Sequence, residues 1–106
     1  MPVVSIWTNS SQQARRQYGI RIGAHRDRLL VPRPTALTIE LEGGATFTKP
    51  LSKAFWHQCP EIRDESVRIW LKDQNLLLWP PGKPPRFRFE LVSSERLKIF
   101  RGNVRT

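Results

Sequence analysis

The chain has 106 residues, 39% apolar and 25% charged, with 18 Lys+Arg against 9 Asp+Glu and a formal charge of +9. Such a length fits a single domain, residues 1–106, able to bury a core without staples, and the composition is that of a globular chain, not a disordered one. One cysteine, Cys59, excludes an internal disulfide framework, and no apolar run is long enough to span a membrane.

Pro2 to Thr8 is β-rich, and no basic residue precedes it as a signal peptide would require, so a cytoplasmic protein is expected. Ser10 or Ser11 can cap a short helix through Gln17, stopped by Gly19. Ile20 and Ile22 alternate with Arg21 as a brief strand, closing an N-terminal piece, residues 1–27. The β-rich body, residues 28–106, opens with a strand at Arg28 to Val31, which Pro32 and Pro34 end.

Leu37, Ile39 and Leu41 alternate with Thr38, Glu40 and Glu42, a strand with one buried face. A three-residue loop, Glu42-Gly43-Gly44, sets Leu41 against Ala45 and Ile39 against Phe47, which aligns the apolar groups. It asks for a glycine in the left-handed region. Ser52 caps a helical turn over Lys53 to Gln58, and Pro60 starts a second helix, Glu61 to Asp73, so that 53–73 is one broken helical segment. In that helix Ile62, Ile69 and Trp70 share a face widened by Val67 and Leu71, Asp64 pairs with Arg68, and Asn75 caps the end.

Leu76 to Trp79 is short and continuously apolar, a buried strand. Pro80 to Pro85 cannot enter a sheet and runs as an extended loop. In Arg86 to Leu91 the side chains of Phe87, Phe89 and Leu91 point one way and Arg86, Arg88 and Glu90 the other. Across a turn at Ser93-Ser94-Glu95, pairing Val92 with Arg96 sets Leu91 against Leu97, Phe89 against Ile99, Glu90 against Lys98 and Arg88 against Phe100.

The charge is uneven. Residues 14–33 hold six arginines against Asp27, and residues 76–106 hold seven basic groups against two acids, each a net +5, while residues 34–75 contribute −1. Arginine outnumbers lysine 13 to 5, and guanidinium both grips phosphate bidentately and stacks on flat rings. The outer face of the last hairpin carries Arg86, Arg88, Arg96, Lys98 and Phe100, with Arg101 following and Glu90 as the lone acid. Cations around an exposed ring can hold a phosphate backbone and stack a base. Arg21, Arg26 and Arg28, with Arg15, Arg16 and Arg33 nearby, can extend that surface.

Other chemistries are weaker on these residues. The helix at 61–73 is too acidic for a recognition helix. His57, Cys59 and Glu61 lack the paired ligands of structural zinc, so no metal and no cofactor are expected. His25-Arg26-Asp27-Arg28 with His57 supplies the residue types of a small ribonuclease without a diagnostic spacing. Pro81 to Arg86 matches a P-x-x-P-x-R ligand for SH3-type grooves, but a rigid crossover loop explains it more simply. At least three of Trp7, Trp56, Trp70 and Trp79 are expected in the core.

The expected fold is α+β, mostly antiparallel: a small barrel or curved sheet packed against the broken helical segment. From residue 28, three strands, a helix and two strands resemble the order of an OB-type barrel, a resemblance of strand order alone. The expected function is binding of DNA or RNA without catalysis, on the face of the C-terminal hairpin. The alternative is a protein-interaction or assembly module with no nucleic-acid role, a homodimer through an exposed strand edge or the Trp-rich surface; no membrane partner is expected.

Overall fold

The computed structural model of the chain describes residues 3–8, 17–22, 30–57, 61–80 and 82–104. Its elements in chain order are β1 (Val3–Thr8), β2 (Tyr18–Arg21), β3 (Ala36–Leu41), β4 (Thr46–Pro50), α1 (Lys53–His57), β5 (Glu61–Arg63), α2 (Glu65–Asp73), β6 (Arg86–Ser93) and β7 (Arg96–Ile99). The seven strands form one sheet in the order β4-β3-β7-β6-β1-β2-β5. All neighbours are antiparallel except β3 and β7, which run parallel. The result is the expected α+β, barrel-like architecture packed against a helix.

Curvature brings the sheet's two edges, β4 and β5, close together. Lys49 on β4 bonds Asp64, the residue after β5, at 2.9 Å. A cavity of about 450 Å³ remains in the seam, lined by Lys49, Leu51, Ser52, Phe55, Glu61 and Arg63 among others. The concave side holds the core: Val4 and Ile6 of β1, Ile20, Leu37, Ile39, Leu41, Phe87, Phe89, Leu97 and Ile99, closed by Phe55, Val67, Trp70 and Leu71 of the helices. The alternation that buries these residues sends their neighbours to the outer face. Neither described helix is long and apolar enough to cross a membrane.

Both hairpins keep the registers argued from side-chain facing. Ile39 opposes Phe47, the Leu41 N–H donates to the Ala45 carbonyl, and Gly43 takes φ +76°. Phe89, Glu90 and Leu91 oppose Ile99, Lys98 and Leu97. At the tip the pairing differs from expectation. Ser93, not Val92, meets Arg96, so Val92 forms a bulge and the loop shortens to Ser94-Glu95.

Other expectations need correction. Residues 61–73 are not one helix: Glu61–Arg63 pair with β2 as β5. Asp64 is extended and accepts a hydrogen bond from the Ser66 N–H at 2.8 Å, so the helix starts only at Glu65. That cap fixes the helix phase, with Val67, Trp70 and Leu71 inward and Ile69 58% exposed. Arg68 therefore pairs with Glu65 and not with Asp64. The C-cap of α2 is Gln74 and not Asn75. Asn75 lies in the left-handed region one residue further on and reverses the chain there, its N–H reaching the Lys72 carbonyl and the Leu76 N–H that of Leu71.

That reversal sends Leu76 to Trp79 across the end of β2 as an irregular strap, not a strand. The Leu77 carbonyl accepts from the Tyr18 hydroxyl at 2.9 Å, Trp79 packs edge-on against Tyr18, and Leu78 is 81% exposed. Leu30 and Val31 form no strand, and the strand expected at 28–31 otherwise lies outside the described residues, as do Ser10 to Arg16 of the N-terminal helix. Gln17 is not helical, and Gly19 stops no helix but sits inside β2. A Cβ there would lie 2.7 Å from the Ile62 carbonyl oxygen. The N-terminal piece is no appendage, since β1 and β2 stand inside the sheet between β6 and β5.

Candidate functional site

The outer face is built by strand register. Arg86 of β6 opposes Ser5 of β1, Ser5 opposes Arg21 of β2, and Arg21 opposes Glu61 of β5. Directly opposed residues share one side of a sheet, so these four make a transverse row with the small Ser5 between the arginines. One row along, the Phe100 N–H donates to the Arg88 carbonyl at 2.9 Å, and Arg88 opposes Val3. One row the other way, Trp7, Gly19 and Arg63 lie side by side on β1, β2 and β5. Because Gly19 has no side chain, Arg63 reaches across it and sets its guanidinium 4.4 Å from the centre of the Trp7 ring.

Two half-buried rings thus stand among cations. Phe100 has the Lys98 ammonium at 5.3 Å and the Arg88 guanidinium at 6.0 Å from its centre. Trp7 has Arg63. The face holds Arg21, Arg63, Arg86, Arg88 and Lys98 against Glu61 and Glu90. By strand spacing Phe100 and Trp7 are about 16 Å apart, too far for one base to cover both.

Acids set which cations are committed. The Glu61 side chain is only 6% exposed and lies 3.8 Å from both Arg21 and Arg63, while its Oε2 accepts no hydrogen bond. Arg96 donates to Glu40 on β3 at 2.8 Å. That hydrogen bond outweighs partial burial and, with the charges of Arg96 and Lys98, holds the Glu40 carboxyl below the usual range; the Arg96 guanidinium is correspondingly raised. Arg101 turns toward α2, where its guanidinium meets Asp73 at 2.7 Å and its N–H donates to Glu42.

Of the residues singled out from sequence, Arg86, Arg88, Lys98 and Phe100 come together, and Arg21 joins them through Ser5. Arg96 borders the group in an ion pair, and Arg101 leaves it because the chain bulges after Phe100 before the Val104 N–H returns to the Arg86 carbonyl. Arg15, Arg16, Arg26, Arg28, His25 and Cys59 lie outside the described residues, and with them the His25–His57 pair. Arg33 is exposed beside Trp56, away from these strands in sequence. Trp70 is fully buried, and Trp56 and Trp79 pack against the core as expected.

Trp7 and Arg63 were missed. The phase of Val4 and Ile6 already puts Trp7 on the outer face, so its signal was present; Arg63 was hidden by the helical reading of its segment. Among the described residues, no group of three or more His, Cys, Asp or Glu is placed to hold a metal ion. No family model matches the chain, and no curated protein or solved structure matches it significantly.

Proposed function

We propose that this chain is a single-strand nucleic-acid-binding domain without catalytic activity, using the outer face of β7, β6, β1, β2 and β5. One observation carries the reading: Arg21 from the first basic zone and Arg86 from the second share a row through Ser5, with accessible rings on the rows to either side. Cations spaced along a curved sheet hold successive phosphates, and rings between them stack bases at about 1–3 kcal/mol each. A twisted sheet with side chains on every second residue suits an unpaired strand better than a duplex groove.

The test is fluorescence anisotropy with labelled single-stranded DNA and RNA from about 50 mM to about 200 mM salt, where phosphate-driven affinity falls steeply. Arg88→Ala with Lys98→Ala weakens binding and flattens its salt dependence. Failure to bind either nucleic acid at the low end would end the reading.

A further inference from the structure

We infer that the slot beside Phe100 selects guanine from the bound strand, with Glu90 reading the base; the inference rests on the function proposed above. The slot is a cavity of about 240 Å³ lined by Arg88, Phe89, Glu90 and Phe100. Phe89 points into the core, so its backbone forms the floor, Phe100 the wall and Glu90 the rim.

Glu90 is the feature that needs explaining. It is exposed on a face otherwise dominated by cations, and its carboxylate enters no hydrogen bond or ion pair among the described residues. Lys98 is its cross-strand partner, yet the Lys98 ammonium stands over the Phe100 ring at 5.3 Å. An acid here repels phosphate, so it suits a base edge and not the backbone.

A carboxylate only accepts. Guanine alone presents two adjacent donors on its Watson–Crick edge, N1–H and N2–H, one for each carboxylate oxygen. Adenine and cytosine offer one amino donor beside a ring nitrogen whose lone pair faces the second oxygen. Uracil and thymine offer N3–H between two carbonyls. Stacking on Phe100 accepts any base, so discrimination falls to Glu90, while Arg88 and Lys98 flank the slot for the neighbouring phosphates.

The experiment measures anisotropy of a uridine tract carrying one central guanine, inosine, adenine or cytosine, with the full chain and with Glu90→Gln. Guanine should bind about tenfold or more tighter than adenine, cytosine or uracil, as one bidentate contact provides. Inosine, lacking N2–H, should fall between. Glu90→Gln should erase the preference while affinity for the plain tract holds or rises. Equal binding of all oligomers, or a preference that survives Glu90→Gln, would overturn the guanine assignment and leave the proposed function standing. Absence of binding to any of these oligomers and to their deoxy counterparts would overturn both.

Discussion

Lys49 and Asp64 meet at 2.9 Å, and through them the two edge strands of a seven-stranded sheet are held together. Asp64 is also the residue that caps α2. One carboxylate therefore ends β5, begins the helix and closes the seam, and two substitutions tell the ion pair from the cap. Asp64→Asn keeps a capping group and loses the ion pair, for a cost of about 0–1 kcal/mol. Asp64→Ala loses both and costs about 1–2 kcal/mol more, read as the denaturation midpoint in urea.

Acid should weaken the fold through the same residue. Burial alone would raise the Asp64 carboxyl, but hydrogen bonds from the Ser66 N–H and from Lys49, together with the lysine charge, hold it below its ordinary value of 3.8. The unfolded chain then takes up this proton more readily than the folded one. The stabilisation is complete above that ordinary value and disappears as pH falls through the lower folded value. In Asp64→Asn the difference in stability from the parent chain should shrink over that interval, which urea titrations at successive pH values would detect.

Glu40 engages Arg96 in an ion pair at the border of the cationic group on the outer face. Glu40→Gln removes the charge that engages the guanidinium and one acid near Lys98, so nucleic-acid affinity should rise. The slope of log affinity against log salt should steepen by up to about 0.7, the value for one added phosphate contact on a single strand. An unchanged slope would show that Arg96 gains no phosphate contact.

Gly44 is pinned by Trp70. A Cβ at Gly44 would lie 2.6 Å from the indole Cδ1, while the indole N–H donates to the Glu42 carbonyl at 2.9 Å. Gly44→Ala must push α2 away from the hairpin, at about 1–3 kcal/mol. Thermal unfolding should move down by several degrees, with no matching change for Leu78→Ser. Leu78 is exposed, and its replacement should stay within about 0.5 kcal/mol.

Trp7 offers an optical test of the proposed face. A base stacking there displaces Arg63 from the ring and quenches fluorescence from an accessible indole, whereas buried Trp70 is out of reach. Quenching by single-stranded oligonucleotides should drop sharply in Trp7→Phe. Retention of the full effect would remove Trp7 from the contact surface.

Hairpin registers were readable because period-two alternation permits one pairing that buries both apolar sets, as at Ile39 with Phe47 and Phe89 with Ile99. Segment 61–63 was not, because three residues are too few to show a period, and Pro60 followed by acids resembles a helix start. Its strand character comes from β2, whose Gly19 lets the Ile62 carbonyl approach. Leu76 to Trp79 differs for another reason: apolar content does not fix where a segment runs, and the left-handed turn at Asn75 decides where the chain goes. Similarly, nothing local ties Arg21 to Arg86. Their shared row exists only once β1 lies between them.

β7 is the single strand joining the β4–β3 pair to the β6–β1–β2–β5 group. A chain still on the ribosome can zip the first hairpin early, yet the sheet cannot become one piece until residues 96–99 emerge and thread into the slot. Pairing Thr38 with Arg96 makes folding a long-range and therefore slow event. Until then both flanks of that slot are open strand edges, able to recruit another nascent chain, so this is a protein whose yield should depend on how fast it is synthesised.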